Sequence, residues 1–226
     1  MSSKVIVALP AYNEEKYIAG IVGKAASYAD AVIVLDDGST DGTAWRATDA
    51  GAKLIQHKVN KGYGSAIQSI LSAVRGTDFD TLVVIDSDSQ HDPADIPKLV
   101  KVIEDGYDLA IGCRASKDVP FYRRIGGTTL SVLTWFLSNM WVRDSQCGFR
   151  AYSKRAVELI RPKENGMAVS SEIVALAAWS RLWVKEVPIS VRYLEDSSTH
   201  NPWKQGFYTL WRILVMLVKD TPREGE

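Results

Sequence analysis

The sequence predicts an α/β fold: a mostly parallel central sheet with helices on both faces. Three observations carry that expectation. Short, β-branched apolar runs recur along the chain, "KVIVALP", "AVIVLDDGS", "AKLIQH", "TLVVIDSDS" and "LAIGCR", and they are apolar at successive positions, as strands buried on both faces are. Longer helix-compatible segments, such as Glu14 to Tyr28, separate them, and strands alternating with helices build parallel sheets. Polar clusters then follow the runs: "PAYNEE" the first, "DDGSTDGT" the second and "DSDSQHDP" a later one. Ligands of open α/β sheets bind beyond the carboxyl ends of the strands, so these three ends are expected to converge on one site.

At 226 residues, with no Gly/Ser/Pro-rich linker and no repeat, one domain spanning 1–226 is expected. The 27 Lys plus Arg balance the 27 Asp plus Glu, so bulk charge gives no reason to expect a nucleic-acid partner. Two cysteines, Cys113 and Cys147, without metal-like spacing, point to a reducing, cytoplasmic compartment. "MSSKVIVALPAYNEE" lacks a basic segment followed by a long apolar core, so it reads as a first strand and not as a signal peptide.

The strand-end clusters carry the chemistry. "DDGSTDGT" contains the residues of a turn and helix cap, yet two adjacent carboxylates, Asp36 and Asp37, exceed what a turn needs and suit a base N–H or a ribose hydroxyl. Neither GxGxxG nor GxxxxGK[ST] is present, which excludes a Rossmann dinucleotide site and a P-loop. In "DSDSQHDP", Asp86, Asp88 and Gln90 stand two apart and project to one side when extended. Two carboxylates and an amide are hard oxygen donors, suited to Mg²⁺ or Mn²⁺ with diphosphate oxygens and water completing the shell. His91 either orients this site or packs against its loop, and Asp92-Pro93 opens the next helix.

The ordered set "PAYNEE", "VLDDGSTDGT", "NKGYGSA", "DSDSQHDP", "GCR" and "DSQCGFRAYS" resembles the family-2 glycosyltransferases of GT-A fold, and within them the dolichyl-phosphate mannose synthase group and related polyprenyl-phosphate glycosyltransferases. The resemblance implies that Pro10, Tyr12, Glu14, Val34 and Asp36 hold the base and ribose of a nucleotide-sugar donor. It implies that Asp86, Asp88 and Gln90 hold Mg²⁺ or Mn²⁺ on the donor diphosphate, that Arg114 faces phosphate, and that Arg124 and Thr128 receive the acceptor phosphate. Arg192 and Lys204 stand, by order alone, for the family's late basic loop, which is replaced here by "VRYLEDSSTHNPWKQG". Asp88, Arg114 and Asp144 are the catalytic candidates. For Asp144 two readings stand: it orients hydroxyls or acts as a base, or it is a structural partner of Arg150 or a cap. Glu172 is either a helix N-terminal charge or a sugar contact.

Two segments suit a membrane surface. In 120–142, Ile125, Val132, Phe136, Leu137, Met140 and Trp141 recur at mostly helical spacing after basic residues. In 203–219, Trp203, Tyr208 and Trp211 flank an apolar run of about a dozen residues that contains Arg212, short of the ~20 a span takes. Each is either an interfacial amphipathic helix or a core helix. The expected activity is inverting transfer of a hexose from UDP-glucose, UDP-N-acetylglucosamine or GDP-mannose to dolichyl or another polyprenyl phosphate, at the cytoplasmic face of a membrane. The rivals are a glycosyltransferase acting on a soluble hydroxyl and a nucleotide-sugar binding module without activity.

Overall fold

The computed structural model describes residues 3–114, 121–191 and 202–219, of which 121–125, 202–207 and 217–219 by backbone alone. Seven strands form one sheet: β1 (Val5–Ala11), β2 (Ala31–Asp36), β3 (Lys53–Gln56), β4 (Thr81–Val84), β5 (Leu109–Arg114), β6 (Arg150–Ser153) and β7 (Val184–Ile189). Their spatial order is β3-β2-β1-β4-β6-β5-β7. β6 runs antiparallel to both its neighbours, while the pairs β1–β2, β1–β4, β2–β3 and β5–β7 are parallel. Six strands therefore deliver their carboxyl ends to one edge.

Burial follows position. β1 and β4 are buried at every residue, the pattern of strands covered on both faces. The edge strands β3 and β7 are only partly buried, with Lys53, Lys185 and Glu186 among their residues, as sheet edges require. β1 to β5 coincide with the five apolar runs of the sequence, and β6 and β7 lie outside them.

The helices are α1 (Ile18–Ala25), α2 (Thr43–Asp49), α3 (Tyr63–Val74), α4 (Ile96–Glu104), α5 (Phe121–Ser138), α6 (Lys154–Leu159), α7 (Val169–Trp179) and α8 (Pro202–Lys219). The helix expected over Glu14 to Tyr28 is shorter: α1 starts at Ile18 and ends in a 3-10 turn, Ala26–Tyr28. Asn13 takes a left-handed φ of 56°, and the Glu14 and Glu15 amides bond to the side chains of Thr43 and Asp41, so these residues belong to a loop. α3 packs on β1, β2 and α7; α7 carries α5, and α5 carries α8.

On α5 the expected stripe divides between a buried and an exposed side. The helix's buried face is Ser131, Thr134, Leu137 and Ser138, whereas Phe136 and Trp141, placed on that stripe by spacing, are 61 % and 56 % exposed. The hydroxyls explain the choice: Thr134 Oγ1 donates to Ser171 Oγ at 2.8 Å, and Ser131 Oγ lies 3.1 Å from Ser145 Oγ. Small polar side chains that satisfy one another pack closely against α7, and the bulky aromatics turn outward.

Arg150, on β6, is 2 % exposed. Its guanidinium donates to three carbonyls, Ser145 at 2.7 Å, Cys147 at 2.8 Å and Ser170 at 3.1 Å, tying β6 to the preceding loop and to α7. Arg150→Met would take the donor away from the buried Ser145 and Cys147 carbonyls, so it is expected to cost about 3 kcal/mol or more. Urea denaturation measures this; a loss under about 1 kcal/mol would contradict the assignment.

Candidate active site

Three loops are stitched together at the carboxyl edge. Asp37 N donates to Ala11 O at 2.8 Å, and Ser87 Oγ to Pro10 O at 2.8 Å, so the segments after β1, β2 and β4 are in contact. Asn13 Oδ1 accepts from Thr40 N, and Ser39 Oγ from Asn13 N, both at 2.9 Å. Gly38 makes the turn possible, with φ +74° and no room for a Cβ, which would stand 2.5 Å from the Val59 carbonyl carbon.

Asp36 and Asp37 turn out to work inside the protein. Asp36 is 0 % exposed; its oxygens accept from Ser39 N at 3.0 Å and Gln56 Nε2 at 2.8 Å. Asp37 accepts from Lys61 N and Gly62 N, with His57 Nδ1 2.6 Å from its Oδ1. Here the turn-and-clamp chemistry accounts for both carboxylates, and Asp36 presents no surface to a nucleotide. Val34, also expected at the nucleotide, is fully buried between β1 and β3 and is a core residue. Pro10 is buried and contributes its carbonyl to Ser87, while Tyr12 is exposed beyond the strand end.

The remaining carboxylates crowd together. Burial holds Glu14 high, and the charges of Asp88, Asp41 and Asp86 push it further, to about 7. Asp86 and Asp88 are both raised, by burial above all, and Asp88 additionally by Asp86. Gln90 closes on Asp88, its backbone N–H donating to Oδ1 at 3.0 Å and its side-chain amide to Oδ2 at 2.6 Å. Tyr63, unassigned by sequence reading, donates its hydroxyl to Asp86 Oδ1 at 3.0 Å. His91 is held neutral, its pKa pushed down to about 4 by burial. Its Nε2 lies 3.7 Å from Asp86 Oδ2 and its ring packs on Phe149, centroids 5.6 Å apart, so it both faces the site and packs. The Asp92 side chain caps Ala94 N, and Pro93 opens the turn that leads into α4.

This donor set fits a divalent cation. Among the described residues no three or more His, Cys, Asp or Glu form a metal cage by themselves; two carboxylates and an amide leave positions for ligand oxygens and water. Three carboxyls raised by burial, two of them also by neighbouring carboxylates, would be favoured in their ionised form by such a charge.

Arg114, at the end of β5, pairs with Asp144 and not with open solvent: Nε to Oδ2 is 2.6 Å and Nη2 to Oδ1 is 2.7 Å. Asp144 is thus the partner of Arg114, and the alternative pairing with Arg150 is corrected. Glu172 serves the fold: it accepts from Lys163 N and Glu164 N and clamps the segment before α7. Arg124 and Thr128 lie one turn apart on α5, Thr128 exposed and Arg124 described by backbone alone. Lys204 likewise lies on the α8 backbone, and Arg192 falls outside the described residues.

A central sheet whose strand ends gather an acidic, metal-compatible cluster beside an arginine is the arrangement of a sugar-nucleotide enzyme, and the comparisons agree. Residues 6–161 match the model of Glycosyl transferase family 2; the chain belongs to that family. It is 31 % identical, over 96 % of its length and 97 % of the relative's, to UDP-N-acetylglucosamine–dolichyl-phosphate N-acetylglucosaminyltransferase of Methanococcus voltae. It is 31 % identical to dolichyl-phosphate hexose transferase of Haloferax volcanii, over 88 % of each. Glucosyl-3-phosphoglycerate synthase of Mycobacterium tuberculosis, crystallised with Mn²⁺ and UDP-glucose, superposes with a TM-score of 0.75 at 25 % identity, over 99 % of this chain and 82 % of that one. The fold is that of the GT-A glycosyltransferases.

Glu14 has a pH signature. Titrating near 4.5 unfolded and about 7 folded, it keeps its proton longer in the folded state, so stability falls as pH rises from about 4.5 to about 7 and stays lower above. In EDTA, Glu14→Gln should therefore raise Tm by about 3 °C at pH 8 and leave it nearly unchanged at pH 5. Equal shifts at both pH values in a thermal melt would contradict the crowding.

Proposed function

We propose that the chain, acting as one unit, transfers a hexose from a nucleotide-diphosphate sugar to a polyprenyl phosphate, with inversion, in a route to protein or cell-surface glycosylation. The observation that carries this reading is the cluster of Glu14, Asp86 and Asp88 at converging strand ends, three carboxyls raised first by burial, with neighbouring carboxylates adding to the rise at Glu14 and Asp88. A binding module has no need to bury three carboxyls together. The names of the Methanococcus and Haloferax relatives support the acceptor class.

Asp86, Asp88 and Gln90 would hold Mg²⁺ or Mn²⁺, which when bound supplies charge neutralisation where the departing diphosphate gains negative charge. Tyr12 and the loops stitched through Asn13 and Ser39 frame the nucleoside. Arg114, oriented by its two bonds to Asp144, presents a fixed positive charge at the phosphates. Arg124 and Thr128, one turn apart on α5, receive the acceptor phosphate, and Arg192 and Lys204 supply the late basic contacts. A phosphate monoester, with its second pKa of about 6, reaches the site as a dianion and needs no base. A hydroxyl acceptor would need Asp144 as that base, and Asp144 is engaged on both oxygens by Arg114; the phosphate acceptor is favoured.

Incubation with Mn²⁺, labelled UDP- and GDP-sugars and a short polyprenyl phosphate tests the activity. Label should enter the lipid only with metal present, and Asp88→Asn should fold normally yet lose at least ~100-fold in rate. Label that stays in the donor, or a near-normal variant, would contradict the reading.

Membrane attachment is the second part of the proposal. No helix among the described residues is long and apolar enough to cross a membrane. α5 and α8 pack together and expose Trp135, Phe136, Tyr208, Trp211 and Leu214, aromatic and apolar groups suited to a bilayer interface on the cytoplasmic side. The protein should float with anionic liposomes, and Phe136→Ser combined with Trp211→Ser should reduce the bound fraction several-fold. A wild-type protein left wholly in the aqueous fraction would exclude the attachment.

A further inference from the structure

Asp86 ends in a cradle that the metal motif alone does not explain. The Tyr63 hydroxyl donates to Oδ1 at 3.0 Å. On another side runs the Gly148 backbone. A Cβ there would stand 2.4 Å and 2.6 Å from the two Asp86 oxygens and 2.6 Å from the Tyr63 hydroxyl, so glycine lets the chain pass close behind the carboxylate. His91 Nε2 faces the second oxygen at 3.7 Å.

Tyr63 is itself held at its backbone from two directions. Asp37 takes the amides of Lys61 and Gly62 before it, and the Asn165 carbonyl takes those of Gly64, at 2.8 Å, and Ser65 after it. The segment carrying Asn165 is fixed in turn: Glu172 accepts its amides at 163 and 164, and the Glu164 carboxylate is ion-paired with Arg212 of α8. The start of α3 is thus clamped between the end of β2 and the segment before α7, and its first side chain points at Asp86.

We propose that Tyr63 is a positioning residue for the divalent cation: its hydroxyl fixes the Asp86 carboxylate in the orientation in which it meets the metal. The inference rests on the reading of Asp86 as a metal ligand. Groups that orient metal ligands commonly account for 10- to 100-fold in affinity.

Binding of Mn²⁺ in the presence of UDP, followed by loss of the free-Mn²⁺ EPR signal, tests it without any turnover. Tyr63→Phe removes one oxygen and keeps the ring, and it should weaken Mn²⁺ binding about 10-fold. Gly148→Ala, which crowds the same carboxylate, should act in the same direction. Tyr152→Phe is the control: Tyr152 is fully buried on β6 and, among the described residues, the hydroxyl bonded to Asp86 is that of Tyr63, so loss of the Tyr152 hydroxyl should leave Mn²⁺ affinity unchanged. Unaltered Mn²⁺ affinity in Tyr63→Phe would overturn the proposal while the metal site stands. A wild-type protein that binds no Mn²⁺ would remove the metal site, and this role with it.

Discussion

The organising constraint is the burial of carboxylates brought together beyond the ends of buried strands, to which repulsion adds at Glu14 and Asp88. Glu14, Asp86 and Asp88 follow β1 and β4, which are buried along their whole length and pair in parallel over Val5–Ala8 and Thr81–Val84. The hydrophobic drive that builds those strands also sets their polar ends at fixed separation. Left without a compensating cation, such groups hold their protons to higher pH, as Glu14 does at about 7. A charge-poor loop would be the more stable solution. That the fold keeps the crowding, and surrounds it with Tyr63, Gln90 and His91, is the physical content of calling it a site.

Around that cluster the scaffolding is polar but closed. Asp37 clamps the loop entering α3, Arg150 ties β6 to α7, and Glu172 holds the segment that meets α3. Each puts a charged group to internal use through several hydrogen bonds at once, the condition under which burial of a charge is tolerable. Arg114 and Asp144 do the same closer to the chemistry, which leaves the guanidinium aimed and the carboxylate occupied.

The central strands were legible because β1, β2 and β4 are buried on both faces and therefore write continuous apolar runs. β6 is four residues with an arginine in it, and β7 carries Lys185 and Glu186 at a sheet edge; neither reads as apolar, and both escaped. In the site, "DSDSQHDP" was legible as a donor set. Asp36 was not, because a clamping carboxylate and a ligand-binding one are the same residue in sequence, and the distinction lies in Gln56, twenty positions away. Tyr63 was hidden for the same reason: its partner, Asp86, is distant in the chain. On α5 helical spacing located the apolar residues but could not tell which face the serines would claim.

The most direct test of the central claim is the stabilisation conferred by Mg²⁺ or Mn²⁺ with UDP as a function of pH. A cation bound by ionised carboxylates must displace their protons, and Asp86 and Asp88 hold theirs above the usual carboxylate range, so the rise in Tm on adding cation should be smaller at pH 5 than at pH 8. A Tm that responds equally at pH 5 and pH 8, or not at all, would show that the crowded carboxylates are not the cation's site.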